Sequence, residues 1–255
     1  MASLSEKPKA KCLCIDIETA RQNQMILREV GIFRPDIDAR AKIAGKAKDL
    51  ESQIDKLSEG ATFVLGHNVV AFDQPALALL HPRLKLHQLP LVDTLELSPI
   101  AFPQNPYHRL VKDYKLCTTT RNDPVRDAEL AYELFLDQGE ALRGRADQHP
   151  DEALCLHHLL APENGKGVAN FFATIRRNLR PTLPDTVAAW IRVASGKACT
   201  TALQRVADEW FPDPTWHKAL AYALAWLRVA GGNSVLPPWV AQHVDVHPKL
   251  THLAG

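Results

Sequence analysis

The chain has 255 residues, of which 46% are hydrophobic and 23% charged, a composition typical of a globular protein and not of a disordered one. Its 30 Lys and Arg against 29 Asp and Glu leave a formal charge of +1, which excludes a chain-wide basic field for nucleic acid but leaves local patches open. The N-terminus is polar and no apolar run approaches about 18 residues, so the sequence predicts neither a signal peptide nor a membrane span. We therefore expect a cytoplasmic protein of bacterial type with no membrane partner.

Residues 11–17, KCLCIDI, predict a short buried strand that ends in polar residues. Cys12 and Cys14 share one face of this strand, where they suit small buried side chains better than a disulfide or a zinc site. A second strand is predicted at residues 30–33, stopped by Pro35. A helix is predicted between 39 and 58, because apolar residues recur there at spacings of 4, 3, 4 and 3: Ile43, Ala47, Leu50, Ile54 and Leu57.

The next segments continue the alternation of strands and helices. ATFVLGHN (61–68) predicts a strand, FDQPALALL (72–80) a helix, and QLPLVDTLEL (88–97) a strand that runs into a helical turn. Residues 123–146 predict a long helix with Asp123 as its N-cap and Pro124 at its first position. This alternation indicates an α/β domain over residues 1–148.

The sequence changes in character after residue 148. All 5 Trp lie in this part, and its segments look helical, separated by turn sequences such as APENG, RPTLPD and FPDP. We therefore predict a mainly α-helical accessory domain over residues 149–255.

Acidic residues stand at three places that a simple core would avoid. Asp16 and Glu18 are two residues apart at the end of a strand, so they point to the same face. Asp73 follows a second strand inside an apolar patch, and Asp127 lies one turn into the long helix. Each acid alone fits a strand end, a cap or a helix dipole partner. Clustered, they would repel one another unless cations neutralise them, and carboxylate-lined sites suit Mg²⁺ or Mn²⁺.

The three segments CIDIET, GHNVVAFD and NDPVRDAELAYELF resemble, in this order, the three motifs of the DEDD superfamily of 3′–5′ exonucleases. The resemblance covers roughly residues 10–140, and the second motif is the most distinctive. It implies a ribonuclease H-like fold, in which a mixed sheet is flanked by helices. It also implies that two Mg²⁺ or Mn²⁺ ions are bound by a quartet of acids: Asp16, Glu18, Asp73 and Asp127.

Within that quartet, the resemblance implies that Asp16 bridges both ions and that Glu18 lies near the scissile phosphate and the attacking water. Asp73 and Asp127 would complete the outer coordination. The backbone from Ile17 to Thr19 would hold the 3′-terminal nucleotide.

The pocket for that nucleotide would be shaped by Asn68 and Phe72. For His67 and Asn68, stabilisation of the turn is an equally good interpretation. Two such metal ions activate water and stabilise the leaving oxygen in phosphodiester hydrolysis.

The third motif departs from the family. One branch of the family has a His five residues before the last Asp, and this chain has Asn122 there, with the spacing of that branch. Asn has no useful basicity. Because a general base contributes about 10²–10⁴-fold, a slow enzyme remains possible. His108 as a substitute base, Asn122 as a residue that orients water, and a domain that binds nucleic acid without cutting it all stay open. For His108, an ordinary surface position is the simpler interpretation.

Cations and aromatic rings alternate around this motif. Tyr107, His108 and Tyr114 are interleaved with four cationic residues: Lys112, Lys115, Arg121 and Arg126. The mixture suits a path for single-stranded nucleic acid, and it equally suits a solvated surface of mixed charge.

The sequence thus predicts a metal-dependent 3′–5′ exonuclease that acts on single-stranded DNA 3′ ends and releases nucleoside 5′-monophosphates. An exoribonuclease and a catalytically weakened nucleic-acid-binding or scaffolding module are the alternatives. The segments NSVLPPWV and THLAG resemble the region that follows the N-terminal DEDD domain in bacterial RecQ-type helicase fusions. That resemblance implies a helicase partner in the same polypeptide or complex.

Overall fold

The computed structural model describes residues 9–21, 25–105, 123–160, 168, 171–172, 175–176, 181–195 and 199–229. The chain divides into two compact units, one formed by Met1–Leu95 and Arg109–Leu136, the other by Glu96–His108 and Asp137–Gly255. The described part is an α/β structure with one five-stranded mixed sheet.

The sheet belongs to the first unit and has the strand order β3-β2-β1-β4-β5. Strand β2 is antiparallel to both of its neighbours, β1 and β3, whereas β1 pairs with β4 and β4 with β5 in parallel. The strands are β1 (Cys12–Arg21), β2 (Met25–Arg34), β3 (Ala39–Ala44), β4 (Phe63–Gly66) and β5 (Leu91–Asp93). The helices of this unit are α1 (Leu50–Ser58) and α2 (Gln74–Leu80), with the start of α3 (Thr94–Ala101) and the first part of α4 (Pro124–Gln148).

The central strand β1 is covered on both faces. Its odd-numbered residues Leu13, Ile15 and Ile17 belong to the main hydrophobic cluster, which also includes Ile54 of α1 and Leu77 of α2. Its even-numbered residues begin with Cys12 and Cys14, both fully buried, which confirms their prediction as small core residues. The alternation continues outward to Asp16 and Glu18, so both acids lie on the Cys face, as their spacing predicts.

Helix α4 packs against that Cys face. The Tyr132 ring lies edge-on to Phe33 of β2, and the Phe135 ring contacts Phe63 of β4. The Tyr132 hydroxyl also accepts a hydrogen bond from the backbone N–H of Ala10 at 3.3 Å. These aromatic contacts fix the N-terminal half of α4 over the sheet.

The predicted helix between residues 39 and 58 is wrong in its first part. Residues Ala39–Ala44 form the edge strand β3, and the helix begins only at Leu50. The strand alternates Arg40 and Lys42 on its exposed side with Ala41 and Ile43 on its inner side. Two of its three inward positions are Ala, so the period of two is weak in the sequence and the apolar spacing runs on into α1.

The other strands and helices of the first unit agree with the sequence predictions in type and order. The turn at residues 69–73 is the exception, because it forms one π-helical turn, Val69–Asp73, between β4 and α2. Helix α4 starts at Pro124 as predicted, and the Asp123 carboxylate accepts a weak 3.4 Å hydrogen bond from the Val125 N–H.

The described part of the second unit is helical. Its elements are the end of α3, the rest of α4, α5 (Pro150–Leu160), α6 (Leu183–Ala194), α7 (Thr200–Arg205) and α8 (His217–Val229). Gln138 of α4 donates to the Ser98 hydroxyl at 2.8 Å, and the Trp190 ring N–H donates to the Leu203 carbonyl at 3.2 Å. The rings of Trp210 and Trp216 stack with centroids 5.1 Å apart. Within the described ranges, none of the helices has the length and apolar character needed to cross a membrane.

Candidate metal centre

Three of the four predicted acids converge in the first unit. Carboxylate oxygens of Asp16 and Glu18 on β1 and of Asp127 on α4 lie within 4.8 Å of one another. The two strand acids are partly exposed, whereas Asp127 is buried, with 9% of its surface accessible. The D-x-E spacing on the strand and the position of Asp127 one turn into α4 together produce this group, which we call the three-acid group.

Asp73 is placed beside this group and not within it. One of its carboxylate oxygens accepts a 2.9 Å hydrogen bond from the backbone N–H of Ile17, the residue between Asp16 and Glu18. Strand β4 pairs with β1 only as far as Cys14, so this N–H has no strand partner on that side and Asp73 supplies one.

Burial dominates the electrostatics of Asp73. The residue is 3% exposed, and burial raises the pKa of its carboxyl to about 7, although the hydrogen bond from Ile17 works in the opposite direction. The negative charges of Asp93 and Glu18 raise the pKa further. A carboxyl in this state favours a proton or a nearby cation.

The turn that carries Asp73 has two unusual backbone features. Asn68 is left-handed, with φ of 71° and ψ of 22°, and Asn is one of the few residues besides Gly that tolerate this conformation. The π-helical turn follows directly, closed by the bond from the Gln74 N–H to the Val69 carbonyl. π-Helical turns of this kind recur at functional sites. We call residues 68–73 the Asp73 turn.

A second buried acid, Asp93 at the end of β5, supports the Asp73 turn. It is 2% exposed and accepts backbone N–H bonds from Asn68 at 2.8 Å, from Val70 at 3.0 Å and from Leu95 at 2.9 Å. Our sequence interpretation did not single out Asp93. The signal was available, because VDT repeats the pattern of an acid directly after a short apolar strand.

The neighbouring Thr94 fixes His67. The Thr94 hydroxyl donates to the Gly66 carbonyl at 3.1 Å, so its contact with His67 at 2.9 Å requires that Nδ1 of the His ring donate. His67 and Asn68 therefore both help to hold the turn, through a side chain in one case and through backbone in the other.

Close packing at Gly31 brings Asp127 to the sheet. Gly31 of β2 is the register partner of Asp16. A Cβ atom at Gly31 would lie 2.0 Å from the carbonyl carbon of Pro124 and 2.3 Å from the Val125 nitrogen, so the first turn of α4 rests on bare backbone there. Lys42 of β3 adds an ion pair to Asp123 at 3.7 Å, alongside one to Glu29 at 3.0 Å. Carboxylate pairing with Glu29 raises the pKa of Lys42.

A β-bulge interrupts the pairing of β1 and β2 beside the three-acid group. Glu18 pairs with Glu29 but Thr19 pairs with Leu27, so Arg28 is the extra residue. The bulge lets both Val30 and Leu27 face the core while Arg28 stays exposed. Bulges redirect side chains next to functional sites, and this one follows Glu18 immediately.

The remaining predicted site residues, catalytic and nucleotide-binding, fall into three groups. The Ile17 N–H is engaged by Asp73, Thr19 lies at the bulge, and Phe72 is half-buried against the core of the first unit. Arg126 forms ion pairs with Glu129 at 3.2 Å and Glu133 at 3.0 Å, which raise its pKa. Five predicted residues lie outside the described residues: His108, Lys112, Lys115, Arg121 and Asn122.

The chemistry of the three-acid group fits a divalent cation of the hard type. All its donors are carboxylate oxygens, and Mg²⁺ and Mn²⁺ prefer such ligands. The buried Asp73 beside it adds negative charge when ionised. Asp16, Glu18 and Asp127 are therefore the residues that would hold a metal ion.

Comparisons of the chain with protein-family models, with curated proteins and with solved structures found no match. The function of the chain is therefore inferred from its own residues, namely the three ordered motifs and the acids that they bring together.

Proposed function

We propose that this chain is a metal-dependent 3′–5′ exonuclease that acts on single-stranded DNA ends and releases nucleoside 5′-monophosphates. The observation that carries the proposal is the convergence of Asp16, Glu18 and Asp127 within 4.8 Å. These residues come from the first and third motifs, far apart in the sequence, and the second motif supplies Asp73 at the Ile17 backbone.

The arrangement of the sheet supports a ribonuclease H-like fold as the finer description of the first unit. The supporting features are the strand order β3-β2-β1-β4-β5, the single antiparallel strand β2, and the position of the D-x-E pair on the central strand. A helix that delivers the last acid to the same face adds to this support.

In this proposal each acid has its own task. Asp16 and Glu18 on the central strand, with Asp127 on α4, would hold two Mg²⁺ or Mn²⁺ ions. Asp73 ties its turn to the Ile17 backbone and balances the cations with a buried charge. Two ions in such a site activate water and stabilise the leaving oxygen of a phosphodiester.

The 3′ end would approach from the exposed side of the bulge. Arg28 is the exposed cation there, next to Glu18, and cations that follow the nucleic acid backbone supply most of its affinity. Further cations for this path are proposed in the third-motif region, at Lys112, Lys115 and Arg121. A helicase in the same polypeptide or complex would supply the single strand, and the accessory domain predicted over residues 149–255 would connect the two.

The proposal is tested with a 5′-labelled single-stranded DNA oligonucleotide incubated with Mg²⁺ or Mn²⁺. We expect a ladder of shortened products that EDTA prevents and that Asp16→Ala abolishes. Asp49→Ala is the matched control, because Asp49 is exposed and its side chain makes no cap hydrogen bond at the start of α1. A folded wild-type sample that shortens neither DNA nor an RNA oligonucleotide of the same sequence contradicts the proposal.

A second candidate function is a nucleic-acid-binding or scaffolding module with weakened catalysis. The observation that favours it is Asn122 at the position where the motif has its general base. One variant distinguishes the two candidate functions. Asn122→His should raise the hydrolysis rate if the protein is a nuclease that lacks only its general base. In a binding module it changes neither hydrolysis nor affinity.

A further inference from the structure

We propose that Asp93 is a positioning residue of the candidate metal centre: it fixes the Asp73 turn and thereby holds the Asp73 carboxylate beside the three-acid group. Its effect on metal affinity and turnover rests on the proposed function, whereas its effect on the geometry of the turn does not.

Hydrogen bonds to both carboxylate oxygens fix the position of the Asp93 side chain. Oδ1 accepts from the N–H groups of Asn68 and Leu95, and Oδ2 accepts from the N–H of Val70. A buried polar group without hydrogen-bond partners is costly, and these three N–H groups supply a donor to each of the two buried oxygens. Asp93 thus joins the end of β5 to the turn after β4.

The bond to Asn68 acts where the backbone of the turn is left-handed. Asn68 is left-handed, and the chain must adopt this conformation to leave β4 and enter the π-helical turn. A fixed acceptor on its N–H offsets the cost of that conformation. The bond to Val70 then orients the first peptides of the π-helical turn itself.

The hydrogen bonds within the turn connect residues 68–70 to Asp73. The Phe72 N–H donates to the Asn68 carbonyl at 3.0 Å, and the Gln74 N–H donates to the Val69 carbonyl. Asp73 lies between these two bonds, and its side chain reaches the Ile17 N–H at 2.9 Å. Displacing residues 68–70 therefore displaces the Asp73 carboxylate.

Asp93→Asn is the variant that tests this. Asn keeps one oxygen for Asn68 and Leu95 but presents an amide N–H₂ to the Val70 N–H, which cannot accept it. Asp55→Asn is the matched control, because Asp55 uses a single oxygen to accept from the Lys85 N–H at 2.9 Å, and Asn can replace it. Amide hydrogen exchange of Ile17, with circular dichroism as the check on folding, is the main readout.

We expect Asp93→Asn to lower the protection of the Ile17 amide at least about tenfold in a folded protein, and Asp55→Asn to leave it unchanged. Unchanged Ile17 protection in folded Asp93→Asn overturns the proposal. If Asp93→Asn does not fold, exchange in the wild-type protein decides instead. In the wild-type protein we expect the hydrogen bonds of four amides to open in one event with the same free energy: Ile17, Asn68, Val70 and Leu95. Different opening free energies for these amides overturn the proposal.

Mn²⁺ binding by titration calorimetry and oligonucleotide hydrolysis complete the experiment. Loss of a residue that orients metal ligands typically costs about 10–100-fold in metal affinity or activity, so we expect a change of this size for Asp93→Asn alone. If Ile17 protection falls but the wild-type protein neither binds Mn²⁺ nor hydrolyses nucleic acid, Asp93 still positions the turn and the nuclease proposal fails. A third outcome is that Ile17 protection falls in Asp93→Asn while the variant binds Mn²⁺ as tightly as the wild-type protein. In that case the role of Asp93 at the metal centre is wrong.

Discussion

Asp16 and Gly31 are register partners across β1 and β2, and the missing side chain at Gly31 is what allows the first turn of α4 to reach the sheet beside the Asp16 carboxylate. Asp127 lies on that turn. A glycine on one strand thus determines how close an acid on a helix comes to an acid on the next strand.

Gly31→Ala is therefore expected to separate Asp127 from Asp16. The new Cβ would lie 2.0 Å from the Pro124 backbone, which has to move. We expect a loss of about 1–3 kcal/mol in the free energy of unfolding and a Mn²⁺ affinity lower by about tenfold or more. Urea unfolding and titration calorimetry measure the two effects.

Gly144→Ala is the matched control for this substitution. Gly144 lies in α4 with nothing within 4 Å of a new Cβ, so Ala there should stabilise the helix by about 0.5–1 kcal/mol. Equal effects of the two substitutions would contradict the role given to Gly31.

The raised pKa of Asp73 predicts a pH-dependent stability. Burial raises this pKa from 3.8 to about 7, so between these values the folded state keeps a proton that the unfolded state has lost. Stability therefore falls as pH rises from about 4 to about 7 and levels off above that, by on the order of 4 kcal/mol for this group. Thermal unfolding in EDTA across this range measures the change, and Asp73→Asn should flatten it.

A bound divalent cation should offset the loss of stability that ionisation of the buried Asp73 causes. Because the cation favours ionised Asp73, added Mn²⁺ should raise the melting temperature more at pH 8 than at pH 5.5. Metal stabilisation that is equal at both pH values, or that persists unchanged in Asp16→Ala, would contradict this assignment of the site.

Substitution of Arg34 is expected to lower the free energy of unfolding without any effect on the candidate metal centre. Its guanidinium is 2% exposed, pairs with Asp36 through two 3.0 Å bonds, and donates to the carbonyls of Leu57 and Glu59. Lys cannot make this forked set of bonds, so Arg34→Lys should cost about 3 kcal/mol in urea unfolding. Arg40→Lys, at two exposed ion pairs with Asp38 and Glu129, should cost much less. A similar cost for both would mean that burial of Arg34 contributes nothing.

Two arginines near the candidate centre should differ in nucleic acid binding. The guanidinium of Arg126 is occupied by Glu129 and Glu133, whereas Arg28 is exposed on the bulge. Arg28→Gln should reduce the slope of log affinity against log salt for single-stranded DNA by about 0.7, and Arg126→Gln should leave it unchanged. Fluorescence anisotropy at several salt concentrations makes the comparison, and the reverse order would place the nucleic acid along α4 instead.

The residues that the sequence predicts well are those whose signal is local. Asp16 and Glu18 share a face because they are two apart on a strand, and Asp127 follows a recognisable helix start. The order of strands and helices follows in the same way from apolar periodicity. β3 was missed because Ala39 and Ala41 give it little apolar contrast, so the stronger helical spacing ran through it.

What the sequence leaves undetermined depends on contacts between distant segments. Asp93 matters because two of its three N–H donors lie 23 and 25 residues away, on another turn. The role of Gly31 depends on how close a much later helix comes to β2. Neither relationship has a local spacing that could reveal it.

The three-acid group also has a consequence for the order of events in folding. Its members come from the first strand and from a helix that follows all five strands in the sequence. A nascent chain can therefore complete the sheet before it possesses the third carboxylate, and contacts of such long sequence separation form late. The three-acid group is therefore complete only after the helix has docked, so an unfinished chain carries the sheet with two of the three carboxylates.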